Sequence, residues 1–328
     1  TDDDVTDAPV SPAYNPTGIF GFGNDGSVTG VTNLVSNVGV VATDVSAVGT
    51  ARQYLTACEY GNDKAIFGFG DYTGITNLVS SSGVVASDVS AVGTGRTGPA
   101  AATYGGDKGI FGFGHDNSTY GETNLVSSSG VVASDVSAVG TARHGLAAAT
   151  FGGDKGIFGF GNDGSTMVDI TNLVSNAGVV ASDVTGVGTA RRELGSCEYS
   201  SGKDKAIFAY GYSDAAVSMS NLVSNAGVVA SDVTGVGTAR WSVSACGYGY
   251  DKGIFGYGNS NKSMTNLVSN VGVVATDTTG VGTGRFDLAA TQYGEDKGIF
   301  AYGATPSAQS MSNLVSNTGV VASDVSGV

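Results

Sequence analysis

Between residues 144 and 187, apolar and polar positions group into four short runs. They are 144–151 (H-G-L-A-A-A-T-F), 156–161 (G-I-F-G-F-G), 171–175 (T-N-L-V-S) and 179–187 (V-V-A-S-D-V-T-G-V). Each run is rich in small, β-branched or aromatic residues and is bounded by turn residues, the pattern of a short strand. Gly152-Gly153-Asp154-Lys155 separates the first two runs and supplies the positive φ that a hairpin needs. A polar loop, 162–170, separates the second run from the third, and Asn176-Ala177-Gly178 turns the chain before the fourth. No window sustains a 3.6-residue apolar period over the length of a helix. The pattern predicts four antiparallel strands and no helix.

The same pattern returns along the whole chain. An Ile-Phe pair begins at Ile19, Ile66, Ile110, Ile157, Ile207, Ile254 and Ile299. An Asn-Leu-Val triplet begins at Asn33, Asn77, Asn124, Asn172, Asn221, Asn266 and Asn313, in steps of 44 to 49 residues. A self-similar period of this size marks a propeller, a solenoid or an array. Four antiparallel strands per unit is the propeller blade pattern. The expected architecture is therefore all-β: a seven-bladed β-propeller with four antiparallel strands per blade, forming one domain over residues 1–328. A solenoid would carry a distinctive cap at each end, whereas the last unit here stops at Val328 within an ordinary fourth run. A linker Gly-Thr-(Ala/Gly)-Arg precedes six of the units, ending at Arg52, Arg96, Arg143, Arg191, Arg240 and Arg285. The first unit has no such linker. Residues 5–14 (V-T-D-A-P-V-S-P-A-Y) align with the small-residue run, Tyr14 taking the place of Phe151. With the tail before them, residues 1–14 are expected to close the ring as the first strand of the first blade. Small residues such as Ala100-Ala101-Ala102 suit the crowded axis, so this run is expected innermost and Val40-Val41-Ala42 outermost.

The arrangement R-x-x-x-A-A-x-x-Y-G-x-D-K-x-I-F-x-(F/Y)-G resembles the kelch family of propeller repeats. In that family an Arg precedes a small-residue strand, a turn follows, and an apolar strand ends in a glycine pair. Here the pair is replaced by Gly-Phe-Gly, Gly-Tyr-Gly or Ala-Tyr-Gly, and the late Tyr and Trp of the kelch unit are missing. Tandem copies this alike are also similar, in their style of repetition, to repeats in tail and virion proteins of marine bacteriophages. The first resemblance implies a kelch-like topology. The second implies a virion or extracellular location.

Composition narrows the partners. The formal charge is −14 with only 15 Lys and Arg, so the basic face that nucleic acid requires is not expected. Anionic membrane is disfavoured for the same reason. No run of about 18 apolar residues predicts a transmembrane helix, and no basic-then-apolar start predicts a signal peptide. Cys58, Cys197 and Cys246 share one register of the unit, where other copies have Ala102, Ala149 or Thr291. That register reads as a small buried side chain, not as a disulfide framework or a metal site.

Framework positions barely change between copies, so the positions that do change stand out. They are the loops between the second and third runs and the residues just after each linker Arg. Alternating strand direction places both on one face. Scaffolded loops are where recognition is usually carried, so Tyr72, His115, Tyr120, Tyr212, Trp241 and Phe286 are the candidate binding residues, for other proteins of a larger assembly or for surface glycans. Catalysis needs unlike groups, whereas identical blades repeat one group. No catalytic residue, metal site or cofactor is expected; His115, His144 and Asp116 read as ordinary loop residues. The alternative is a sugar-acting propeller enzyme, a glycoside hydrolase or lyase. It would need paired inward carboxylates, and Glu59 and Glu198 stand singly in different copies. The linker arginines and the recurring Asp44, Asp88, Asp135, Asp183, Asp232, Asp277 and Asp324 are expected to be structural. A buried Asp must be paired, so linker N–H groups, the Arg or the neighbouring blade are expected to satisfy each one. The Asp-Lys turns, such as Asp107-Lys108, are expected to be solvated pairs.

Overall fold

The computed structural model describes residues 17–327. Among them there is no helix, and the main strands form six three-stranded antiparallel sheets and one two-stranded sheet in strict sequence order. The fourth sheet shows the plan. Ala147–Phe151 pairs with Lys155–Gly159, which pairs with Thr171–Val174, so that Ile157 lies between Ala149 and Leu173. Alternation holds on the first strand, where Ala147, Ala149 and Phe151 are buried and Ala148 and Thr150 are not. The second strand is buried at every position from Gly156 to Gly159, because sheets pack on both of its faces. Its glycines admit rings from the next sheet: a Cβ at Gly112 would sit 2.9 Å from Phe158 Cζ, and one at Gly159 2.9 Å from Phe208 Cζ.

The small-residue strands Thr56–Tyr60, Ala100–Tyr104, Ala147–Phe151, Gly195–Tyr199, Ser244–Tyr248 and Ala289–Tyr293 stand side by side, each against the next, and line one central channel. The seventh sheet then meets the first. Phe20 and Val35 share a core cluster with Tyr293, Ile299 and Ala301. Phe20 meets the Tyr302 ring edge-on at 5.5 Å, as Phe111 meets Phe69 at 5.3 Å inside the ring. The result is a closed, seven-bladed, propeller-like arrangement with the small-residue strand innermost. Residues 5–14, the expected closing strand, lie outside the described residues.

The expected fourth strand is not a regular strand. In the fourth sheet Val180 and Val184 make single bridges, to Val174 and Thr171. Three residues lie between the two valines where two lie between their partners. The extra residue bulges the segment and breaks the ladder, leaving Val179 67% exposed beside it. A two-point attachment blunts an outer edge that would otherwise offer a continuous row of unpaired backbone groups.

The turn after each innermost strand is uniform for a structural reason. The N–H of Gly61 donates to Asp107 O, that of Gly105 to Asp154 O, that of Gly152 to Asp204 O, that of Ser200 to Asp251 O and that of Gly249 to Asp296 O, all at 2.7–2.8 Å. This end of the ring is thus stitched blade to blade through the turns. The lysines only flank it: Lys108 pairs with Asp107 at 2.8 Å with much of its side chain exposed, as a solvated pair would.

Candidate functional site

The recurring ions form one device per blade boundary. Arg143 is wholly buried and lies over the Phe113 ring of the preceding sheet, 4.0 Å from its centroid. Its Nε donates to Phe160 O (2.8 Å), Nη1 to Thr141 O (3.0 Å) and Nη2 to Asn172 Oδ1 (2.7 Å). The Asn172 amide donates onward to Asp183 (2.9 Å), and Asp183 also accepts from the Thr141 N–H (3.0 Å) and hydroxyl (2.7 Å). The same residues recur around Arg52, Arg96, Arg191, Arg240 and Arg285, each wholly buried and each 4.0–4.7 Å over a ring. Expectation and structure differ on which ion is buried. The aspartates keep about a quarter of their side-chain surface, for example 26% for Asp135, while the arginine beside them has none. The linker Thr and the Asn supply the carboxylate's main partners, and the Arg stands 3.3–3.9 Å away at four boundaries. Partial burial alone would raise the Asp183 pKa. Hydrogen bonds from Thr141 and Asn172, with the Arg143 charge, outweigh it, and the net shift is downward.

The variable positions do share one end of the ring. The residue after each linker Arg pairs directly with the start of the variable loop in its own sheet. Thr97 bridges His115, His144 bridges Asn162, Arg192 bridges Tyr212 and Phe286 bridges Ala304. Trp241 and Asn259 exchange two hydrogen bonds at 2.9 Å. Four of the candidate residues form small aromatic or polar groups, those of Tyr212, Trp241 and His115 across a boundary and that of Tyr120 within its own loop. Tyr212 meets Trp241 edge-on at 6.2 Å, with the Arg192 guanidinium 5.4 Å from the Tyr212 centroid and 2.9 Å from Glu193. His115 lies 4.5 Å from His144, ring to ring. Tyr120 donates to Asp116 at 2.7 Å. Tyr72 is 61% exposed, and Phe286 stands apart in the seventh sheet. Burial holds both histidines below their ordinary pKa. Among the described residues no three His, Cys, Asp or Glu side chains cluster to hold a metal ion.

Two groups escaped sequence reasoning. The residue two places after each linker Arg always has positive φ: Tyr54, Gly98, Gly145, Glu193, Ser242 and Asp287 at 50–63°. These residues turn the chain into the innermost strand, and several are joined along this end of the ring, Gly98 N to Tyr54 O, Glu193 N to Gly145 O and Ser242 N to Glu193 O. Glycine fits such a backbone without strain, and a larger residue does not, yet four copies keep a side chain there. The glycines in two copies were the available signal.

The second group faces the channel, a cavity of about 500 Å³ opening toward the uniform turns. Glu59, Thr103, Thr150, Glu198 and Gln292 occupy one level of its wall. Lys203 reaches over from the fifth sheet to donate to Gln292 Oε1 of the seventh at 2.7 Å. Enclosure by the wall raises the pKa of both glutamates, opposed by the Lys203 charge, and Glu59 further raises Glu198. The two carboxylates that stand singly in the sequence therefore share one channel. The three cysteines are free and buried, and burial raises the Cys58 and Cys246 thiols to about 12.

No protein-family model matches the chain, and no curated protein matches it in sequence.

Proposed function

We propose that the chain is a non-enzymatic binding propeller that docks to other proteins of a larger assembly, or to surface glycans, through its variable loop end. One observation carries this reading: nearly identical blades differ mainly at one end, and there side chains are kept on a backbone that favours glycine. Tyr54 and Tyr72 are 67% and 61% exposed, and the Arg192–Tyr212–Trp241 group adds an aromatic and cationic anchor of the kind that dominates interfaces. The opposite end is uniform because its turns stitch the blades together. The charge of −14 argues against nucleic acid as the partner. A kelch-like topology and a virion or extracellular location fit this role and rest on resemblance of the repeats.

Binding is tested with the purified chain on a glycan array and against the proteins of its native assembly. Trp241→Ala and Tyr72→Ala are expected to weaken capture, Trp241→Ala by roughly 2 kcal/mol or more if it is an anchor, and Lys108→Ala to leave it unchanged. Loss with Lys108→Ala alone would move the working face to the uniform turns and make the protein a structural tile.

The channel favours a second reading, a sugar-acting enzyme. Glu59 and Glu198, both with raised pKa, face one cavity beside Lys203, and a proton-donating carboxyl is what glycoside cleavage uses. Turnover of chromogenic glycosides that Glu198→Gln abolishes would support this reading; no turnover across a broad panel would dismiss it.

A further inference from the structure

At the loop end, the residue that opens a variable loop reaches across the boundary to the residue after the next linker Arg. Asn24 donates to Gln53 at 3.2 Å, His115 meets His144, and Tyr212 meets Trp241. Between the third and fourth sheets this plan sets two imidazoles together. The His115 and His144 ring centres are 4.5 Å apart with their planes tilted by 47°, neither stacked nor edge-on. Nδ1 of each ring is buried without a hydrogen-bond partner, and so is Oγ1 of Thr97, a residue only 4% exposed. Thr97 and His115 exchange backbone hydrogen bonds at 2.8 and 3.0 Å, so their side chains share one face of the ladder. Six buried side-chain polar atoms lack a partner among the described residues, and these are three of the six. Buried polar atoms are almost always satisfied, and a group of them that is not calls for an explanation such as an ion. We propose that His115 and His144 bind one divalent transition-metal ion, of the zinc, nickel or copper class, between their rings.

Donor type and geometry select the ion. A neutral imidazole keeps one bare nitrogen lone pair. Imidazole suits zinc, copper and nickel, whereas calcium and magnesium take oxygen ligands. Two imidazoles bonded to one ion at about 2.0–2.1 Å hold their ring centres roughly 4.5–5 Å apart, and the pair here stands at 4.5 Å. The surroundings leave the pair uncovered. The positive-φ residue of the turn carries a side chain in four copies, as Tyr54, Glu193, Ser242 and Asp287. In the two copies that bring the histidines it is glycine, Gly98 and Gly145. A Cβ at Gly98 would already touch His115, 3.9 Å from Nδ1, so a longer side chain there would crowd the ring. The local charge also suits a cation. Asp116 acts on His115, and the Arg192 charge that reaches His144 is paired with Glu193 at 2.9 Å. With two protein donors the ion keeps positions for water, and the Thr97 hydroxyl gives one such water a hydrogen-bond partner.

Zinc chloride titrated by calorimetry into the purified 328-residue chain, free of any affinity tag, tests the site. The chain alone is enough, so the result is independent of the docking role of this end. Saturable one-to-one binding is expected, with magnesium chloride unable to compete. His115→Ala and His144→Ala should each weaken it at least about tenfold, since losing a ligand costs no less than losing a residue that supports one. Circular dichroism confirms that both variants fold. The sequence has only two histidines, so imidazole NMR signals of the unaltered protein report this pair alone. Both rings should shift together up to one equivalent of zinc, and neither should shift with magnesium. Bound zinc should also raise the melting temperature of the unaltered protein and not that of the double variant. Binding weaker than about 1 mM, displacement by magnesium, a zinc shift in neither ring or in one alone, or equal affinity in both variants would overturn the proposal.

Discussion

A single arginine at each boundary does three things that no other residue type can do together. It covers a ring with its flat face, satisfies the linker Thr carbonyl and, at four of the six boundaries, a second carbonyl through Nε, and holds the Asn that orients the Asp. Arg143→Ala would leave Phe160 O, Thr141 O and Asn172 Oδ1 without this donor and open a buried space, costing about 3 kcal/mol or more. Arg143→Lys should rescue little of it, because a point charge does not reproduce the fork. Urea unfolding of both variants checks this, and a loss under about 1 kcal/mol for Lys would refute it. The aspartates add a pH dependence. Asp88, Asp135, Asp183, Asp232, Asp277 and Asp324 all have lowered pKa in the folded protein. Their contribution is therefore fully present above the ordinary aspartate value of about 3.9 and is lost as pH falls below it through the folded values. The melting temperature should hold down to about pH 5 and fall steeply below pH 4, with the fall reduced in Asp183→Asn. The channel glutamates have the opposite sign. With Glu198 raised, its neutral form suits the fold, and the charged form is the destabilising one. Glu198→Gln should thus raise the melting temperature at pH 7 and have no effect below the ordinary glutamate value of about 4.3. An equal rise at both pH values would show that packing, not charge, is responsible.

At the scale of strands and turns, the three inner strands of the second to seventh units and the two described strands of the first were legible from short runs and turn residues, and the fourth was not. Val-Val-Ala-Ser-Asp-Val reads as a strand, but the Asp within it must face the linker, and the bulge that turns it there carries no residue signature. Gly-Phe-Gly likewise reads as the end of a strand. In the structure Phe160 has φ 63° and Gly161 φ 113°; the strand stops at Gly159, and the ring is turned out to lie against Arg191. Packing between sheets was half legible. The shared cysteine register reads as a small buried position, but only the structure shows what it faces. A Cβ at Gly109 would overlap Cys58 Sγ, and one at Gly253 would overlap Cys197 Sγ, whereas a Cβ at Gly156 would meet Ala102 Cβ at an ordinary 3.4 Å. Larger residues thus sit opposite glycine, and Ala149 packs in the same cluster as Ala206. Gly109→Ala should destabilise by about 1–3 kcal/mol through overpacking, and adding Cys58→Ala should recover most of it, since the pair then matches Ala149 with Ala206. Gly156→Ala alone should be nearly neutral. A double-mutant cycle without coupling would rule out this steric account.

Across the whole molecule, the count of seven and the placement of variation at one end could be read from spacing alone. The channel chemistry could not, because Glu59, Glu198, Lys203 and Gln292 come from three separated repeats that only ring closure brings together. Closure also sets where the ring is weakest. Six boundaries are crossed by a covalent linker whose Thr and Arg lock into the next sheet. The boundary between the seventh and first sheets is crossed by no described linker, and it is held by the Phe20–Tyr302 contact, the cluster of Phe20, Val35, Tyr293, Ile299 and Ala301, and the packing of Gly39 against Leu314 and Tyr293. Among the described residues such contacts bury apolar surface but add no covalent or guanidinium lock, so partial opening should begin there. In native-state hydrogen exchange, amides of the Gly18–Asn24, Val28–Val35, Lys297–Ala301 and Ser312–Val315 strands are expected to exchange by opening at lower free energy than those of the Lys155–Gly159 and Thr171–Val174 strands. A disulfide engineered across that boundary should abolish the difference and raise the melting temperature, whereas one placed across the boundary at Arg143 should do neither. Equal protection in all seven sheets would mean that the apolar seam alone closes the ring as firmly as the linkers do.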